Sequence, residues 1–262
     1  MSTSTLQLEY RGQATWIWMA RPEVHNAFNE ALIDDLTAAF AAADADPEVR
    51  AIVLAGEGKN FSAGADLNWM RQQGTAALED NLADARRLAE LYRTIAQCET
   101  PTLARVHGAA LGGGMGLAAA CDICVASTTA QFATSEVRLG IIPAVIAPYV
   151  VRAIGERQAY RYFQTAERIS AERAYEIGLV HEVVPAAELD TMIEEIIAEL
   201  LAGGPRAQSA ATDLIRAVAN RPVDAEVIED TARRIASLRS TAEAQEGLSA
   251  FLEKRGPRWN GA

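Results

Sequence analysis

Short apolar runs alternate with longer periodic stretches along the first two thirds of the chain. Trp16, Ile17, Trp18 and Met19 form one run of strand length. Leu32, Ile33, Leu36 and Phe40 then recur at helical spacing behind Asn29, a residue type suited to capping a helix. Residues 51–54, closed by Gly56, predict a buried strand. Leu78, Leu82, Leu88, Leu91 and Ile95 mark one long amphipathic helix that must stop near Pro101. Residues 102–106 and 123–126 predict two further strands. Such alternation predicts an α/β architecture. The pattern changes after Pro185. Leu189, Met192, Ile196 and Leu200 share one helical face, ended by Gly203-Gly204-Pro205, and helical stretches follow over 207–219, 223–238 and 241–254. A boundary near Gly204 therefore divides the chain into 1–204 and a helical 205–262. The second part is too small to hold much core alone, so it is expected to pack on a neighbour, within the chain or in an oligomer.

Composition narrows the function classes. Of 262 residues, 50% are hydrophobic and 23% charged, which excludes a disordered chain. Lys plus Arg is 24 against 35 Asp plus Glu, a net charge of -11. So acidic a chain has no general attraction for nucleic acid or an anionic membrane, and an anionic ligand needs a local site. Met1 to Arg11 shows no apolar core after a basic start, and the longest apolar stretch, 109–126, is broken by glycines and Asp122. Neither a secretory signal nor a spanning helix is expected, and a cytoplasmic location follows. Three cysteines argue against a disulfide framework. Cys121 and Cys124 make a C-x-x-C, but among Ala118, Ala119, Ala120, Ile123 and Val125 they read as small buried residues. His25, His107 and His181 share no metal-ligand spacing, so no metal site is expected.

Two glycine-rich turns remain, each just after an expected strand. In Phe61-Ser62-Ala63-Gly64-Ala65-Asp66-Leu67, small residues let the backbone turn sharply and let a ligand reach its N–H groups. Asp66 is placed to cap a helix beginning at Leu67. In 108–116, glycines at 112, 113, 114 and 116 open a helix whose first N–H groups are unpaired. Gly114-x-Gly116-x-x-Ala119 also fits a permissive dinucleotide fingerprint, but it sits mid-chain, where that motif is weak evidence. There is no G-x-S-x-G elbow. Glu136 is the acidic residue left, in a mostly apolar segment after an expected short strand. Burial there would raise its pKa and suit it to proton transfer, whereas a pair with Arg138 would make it structural.

Taken in order, these segments resemble the enoyl-CoA hydratase/isomerase, or crotonase, superfamily. Matching stretches are Arg21-Pro22-Glu23-Val24-His25-Asn26-Ala27-Phe28, then 61–67, 108–116, Cys121-Asp122-Ile123, 132–140, 165–171 and Gly178-Leu179-Val180. The resemblance covers nearly the whole chain. It implies an α/β fold of repeated ββα turns with a helical C-terminal segment used for trimerisation, in homotrimers or dimers of trimers. It implies an acyl-CoA thioester substrate, coenzyme A being part of the substrate and no separate cofactor needed. Backbone N–H groups of Ala65 and Gly113 would stabilise the thioester enolate, and Glu136 would move the proton. Backbone around Val24 and from Ala63 through Asp66, Leu67 and Asn68 would hold CoA. Phe251 and Lys254 would reach it from a neighbouring helix, with Lys254 offering positive charge to phosphate.

One departure shapes the expected chemistry. The second glutamate of typical hydratases would stand at Gly116, which has no side chain. Glu136 must then act alone. The glycine is expected to vacate volume and to remove a negative charge that would repel a carboxylated substrate. Residues 61–71, 112–117 and 143–150 look like bacterial 3-methylglutaconyl-CoA hydratases of leucine breakdown, whose relatives handle γ-carboxygeranoyl-CoA. Pro143 to Tyr149 replaces a second glycine-rich loop. Arg71 and Arg138 are candidates to meet a distal carboxylate. Alternatives are a Δ3,Δ2-enoyl-CoA isomerase, a β-carboxyacyl-CoA decarboxylase, or an inactive binding protein of the same fold.

Overall fold

The computed structural model describes residues 5–261; Met1 to Ser4, part of the segment read above for a leader, and Ala262 lie outside the described residues. The chain opens as a hairpin of β1 (Leu6–Arg11) and β2 (Ala14–Met19), antiparallel from Leu6 opposite Met19 to Arg11 opposite Ala14. Gly12, at φ +58°, supplies the left-handed turn residue. Helix α1 (Glu30–Ala45) starts where expected, with the Asn29 side chain accepting from the Leu32 N–H at 2.9 Å. Strand β3 (Ala51–Gly56) follows, then α2 (Leu67–Gln73) and α3 (Leu78–Gln97). Next come β4 (Thr102–Val106), β5 (Ala109–Leu111), α4 (Gly113–Ala120), β6 (Ile123–Ser127) and β7 (Gln131–Ala133). Beyond the turn at Glu136–Leu139 lie α5 (Ala147–Thr165), β8 (Ile169–Ser170), α6 (Ala171–Glu176) and β9 (Glu182–Val184). The chain ends in α7 (Leu189–Ala202), α8 (Pro205–Val218), α9 (Ala225–Arg239) and α10 (Ala242–Leu252).

Six strands form the main sheet in the order β1-β2-β3-β4-β6-β9, and β5-β7-β8 form a smaller one. From β2 to β9 the main sheet is parallel. Its inner strands are covered on both faces, which explains why they read as continuous apolar runs. One face, with Ile17, Met19, Ile52, Leu54, Ala104 and Val106, packs on Leu32, Ile33, Leu36 and Phe40 of α1 and on residues of α3 and α4. The other, with Trp16, Val53, Leu103 and Val125, packs on Leu189, Ile193 and Ile197 of α7.

The long α3 departs from its expected face. Leu91, Tyr92, Ile95 and Ala96 are buried, but Leu78 is 83% and Leu82 45% exposed. The apolar spacing continues past the point where the helix has a core to rest on. The short strand expected before Glu136 is β7, but β5, β8 and α5 were not legible: β5 and β8 span three and two residues, and α5 is interrupted by Gly155 at φ 74° and ψ 156°. In α8 to α10 the buried residues are Val227 and Ala250 alone. Ile215, Val223, Ile228, Ile235, Leu248, Phe251 and Leu252 stand exposed in this part. The buried Arg50 guanidinium ties it to the sheet, donating to the Gly203 carbonyl at 2.7 Å and the Gln208 side chain at 3.1 Å. Truncating Phe40 to alanine should cost about 3–5 kcal/mol in urea unfolding. A loss below about 1 kcal/mol would mean that α1 is not seated on the sheet as described.

Candidate functional site

The two glycine-rich turns lie side by side. Ser62 donates its N–H to the Ala109 carbonyl at 3.0 Å, and its own carbonyl accepts from Leu111 at 2.9 Å. Phe28 brackets Ala65: its N–H donates to Gly64 O at 2.7 Å and its carbonyl accepts from Asp66 at 2.8 Å. This leaves the N–H of Ala65, an exposed residue, with no hydrogen bond among the described residues. Gly64 sits at φ +93°, and a side chain there would meet the Leu111 carbonyl at 3.0 Å. Asp66 caps α2 as expected, accepting from the Asn68 N–H at 2.8 Å. Its second oxygen pairs with Arg21 at 3.0 Å, while Arg21 also donates to the Ala27 carbonyl. Burial pushes the Asp66 carboxyl up, but these donors outweigh it and hold the pKa below the ordinary value. The ion pair clamps the turn that carries Ala65.

The second turn opens α4, whose Gly112 is at φ 51° and donates to the Ala133 carbonyl at 2.8 Å. The N–H of Gly113 makes no hydrogen bond among the described residues. It points from a helix start, where the backbone dipole favours negative charge. The glycines here are required by contact. A Cβ on Gly113 would lie 2.9 Å from the Tyr92 hydroxyl and 3.0 Å from the Phe28 ring; on Gly114, 2.6 Å from the Ser62 carbonyl.

Glu136 begins the single 3-10 turn after β7. Its Oε1 would lie 3.0 Å from a Cβ on Gly112, so the carboxyl group rests against the residue next to Gly113. Its Oε2 is buried with no partner, and no ion pair joins it to Arg138, which is exposed. Burial raises the Glu136 pKa, opposed by its own backbone N–H. Phe28 thus borders both Ala65 and Gly113, and Gly112 links Gly113 to Glu136, so the three groups hold neighbouring positions.

The volume expected at Gly116 is not there. A Cβ on Gly116 would lie 2.3 Å from Ile146 Cγ2 and 3.1 Å from the Tyr92 ring. Ile146, 3% exposed, fills the space, and Tyr92 and Tyr149 continue the wall with ring centroids 5.7 Å apart. The negative charge is absent as expected, but an apolar surface takes its place. Tyr92 falls outside the periodic set of α3, and Ile146 enters the sequence reading only as part of 143–150. Neither carried a signal of its own.

Val24 and Ala63 are half-buried and Leu67 and Asn68 exposed on the rim beside Ala65, where Ala63 donates to the His25 carbonyl at 2.9 Å. Arg71 is exposed and bonds Asn68 at 3.2 Å. Phe251 and Lys254 are exposed at the end of α10, and among the described residues no hydrogen bond or ion pair joins them to the cleft. A recess lined by Trp18, Glu57, Arg105 and His107 lies on the other face of the main sheet. Three of its polar groups are partnered: Trp18 with Glu9, Arg105 with Asp190, and His107 with the Gly58 carbonyl. The three cysteines are buried, and burial pushes the Cys98 and Cys124 thiols up to about 12. Among the described residues no acidic, His or Cys group is arranged to hold a metal, and no helix is long and apolar enough to cross a membrane.

Because its pKa is higher folded than unfolded, Glu136 favours the fold below the unfolded value of about 4.3, and that contribution is lost as pH rises through the folded pKa. Glu136→Gln should therefore raise the melting temperature at neutral pH and leave it unchanged near pH 4, of order the unfolded pKa. An equal shift at both pH values would rule out the buried charge as its source. Gly116→Ala should cost about 1–3 kcal/mol by overpacking, and adding Ile146→Ala should recover part of it. Strict additivity of the two changes would separate these residues.

Residues 11–262 match the family described as Enoyl-CoA hydratase/isomerase. A crystallised chain from Legionella pneumophila, assigned to the enoyl-CoA hydratase/isomerase (crotonase) group, superposes with a TM-score of 0.94 at 46% identity, over 99% of this chain and 100% of that one. An enoyl-CoA hydratase from Shewanella pealeana gives 0.94 at 40% identity, over 97% and 96%. The crotonyl-CoA hydratase of Syntrophomonas wolfei is 34% identical, with 97% of each chain covered. With the family matched across nearly its whole length and the same α/β architecture in its structural neighbours, the chain belongs to the enoyl-CoA hydratase/isomerase family and has the crotonase fold.

Proposed function

We propose that the protein is a hydratase-type lyase that reversibly adds water to a branched, carboxylated enoyl-CoA, the pair 3-methylglutaconyl-CoA and 3-hydroxy-3-methylglutaryl-CoA. The observation that carries this reading is that Ala65 and Gly113, on adjoining turns, each carry a free backbone N–H, and that Glu136, against Gly112, has a buried unpaired oxygen. Two donors on a thioester oxygen stabilise the enolate, and losing one costs about 3–4 kcal/mol of transition-state stabilisation. Glu136 takes a proton from water as the water oxygen bonds to C3, and the C2–C3 π electrons move onto the thioester oxygen. The protonated Glu136 then returns that proton to C2 as the enolate collapses. Both transfers use one carboxyl group and so one face of the substrate; the reverse sequence gives dehydration. Water is the only co-reactant.

The acyl group follows from what stands opposite Glu136. A second carboxylate at position 116 would repel a substrate carboxylate, and this chain has glycine there. The half-buried Tyr149, backed by the buried Tyr92 and Ile146, supplies the apolar surface for a branching methyl group. Backbone around Val24 and from Ala63 through Asn68 holds the CoA moiety. Phe251 and Lys254 of another copy complete that site in a homotrimer or dimer of trimers, which also covers the exposed apolar residues of the helical part. The named activity of the Syntrophomonas wolfei relative supports hydration. An isomerase is the second reading, favoured by the lone carboxylate, because moving a proton between C2 and C4 asks for one base. The free donors and the unpaired carboxyl oxygen speak against a non-catalytic binder.

Mass spectrometry of a CoA-ester panel tests this. With 3-methylglutaconyl-CoA and 3-hydroxy-3-methylglutaryl-CoA, we expect gain and loss of one water, abolished by Glu136→Gln. Turnover of crotonyl-CoA alone would keep the hydratase and discard the carboxylated substrate. A double-bond shift in a 3-enoyl-CoA without mass change, or loss of carbon dioxide, would replace hydration by isomerisation or decarboxylation.

A further inference from the structure

We infer that Tyr92 of α3 is the positioning residue for one of the two oxyanion donors: its hydroxyl holds the Gly113 carbonyl, fixes the Gly113–Gly114 peptide in the first turn of α4, and through the Gly113 Cα steadies the adjoining peptide that carries the Gly113 N–H. This rests on the enolate-stabilising role proposed above for Gly113. Tyr92 is fully buried, so it cannot touch substrate. Its hydroxyl lies 2.9 Å from the Gly113 carbonyl oxygen, which as a carbonyl has a lone pair to spare beside its place in the helix.

The turn needs an external hold. Gly113, Gly114 and Gly116 cannot carry a Cβ without severe contacts, so none can be exchanged for a better helix former. Glycine is the weakest helix former after proline, and a turn built from it wanders unless something fixes it. Gly112 is fixed by its bond to the Ala133 carbonyl at 2.8 Å, and the Phe28 ring limits Gly113 from one side. Tyr92 supplies the direct hydrogen bond to Gly113 itself. Its ring is immobilised between Tyr149 at 5.7 Å and the Gly116 backbone, so the hydroxyl cannot swing away. Burial and the nearby Glu136 charge both push its pKa well above the ordinary value, which keeps the phenol neutral and donating.

Tyr92→Phe removes the hydroxyl and keeps the ring. The probes are acetoacetyl-CoA, whose bound enolate has a near-ultraviolet band, and butyryl-CoA, which does not form a comparable enolate. We expect the variant to bind butyryl-CoA within about twofold of wild type, and acetoacetyl-CoA about tenfold more weakly, the effect of one neutral hydrogen bond. The enolate band should weaken in parallel. Equal losses for both esters would reduce Tyr92 to a packing residue and overturn the inference. So would an unchanged enolate band. If wild type binds both esters and forms the enolate while Tyr92→Phe behaves identically, the positioning role fails and the site reading stands. If wild type binds neither ester, the site reading fails and takes this one with it.

Discussion

The site depends on a close approach of two stretches of backbone that leaves no room for side chains. Gly114 faces the Ser62 carbonyl at a distance a Cβ could not occupy, and Gly64, at φ +93°, faces the Leu111 carbonyl at a distance that leaves a Cβ tightly crowded. Because the turns touch in this way, free N–H groups from two separate strand-to-helix crossings come to lie on neighbouring turns. Everything around them serves that contact. The parallel strands β3 and β4 deliver both turns to the same end of the sheet, and the Arg21–Asp66 pair holds the first one down. The cost is a backbone with little intrinsic rigidity at the point where aim matters most, which is why bulky neighbours such as Phe28 and Tyr92 crowd it.

Glu136 shows the complementary arrangement. Its carboxyl is placed by a short strand and a single helical turn, and among the described residues no ion pair neutralises it. A carboxylate with a free oxygen in a half-dry cleft is poor for the fold and useful for proton transfer. Around Gly116 the reverse holds: Ile146 and the Tyr92 ring are buried, packed and apolar.

Much of this was legible in the residues. Apolar runs located β2, β3, β4 and β6, and Asn29 and Asp66 marked helix starts that the hydrogen bonds bear out. The cleft itself required the ordered set of family segments, because no distance between Ala65, Gly113 and Glu136 is encoded locally. Gly116 shows why the rest stayed hidden. A glycine in a sequence says that a side chain is missing, and it is silent on whether the space is empty or taken by a residue thirty positions away, of order a whole crossover unit. Here Ile146 takes it. The short strands β5 and β8 were invisible for a related reason: at two or three residues they show no alternation, and tertiary pairing alone makes them strands.

The three cysteines sit where the core meets this machinery: Cys98 just after α3, Cys121 just after α4, and Cys124 within β6. Burial holds their thiols in the unreactive form. A thiol reagent therefore has to wait for the protein to open, and each cysteine becomes an internal clock for its own helix end or strand. Labelling at Cys98 times the release of α3, which carries Tyr92, and labelling at Cys121 times the release of α4, which carries Gly113. The molecule thus carries its own reporters for whether the two sides of the cleft loosen together or one at a time.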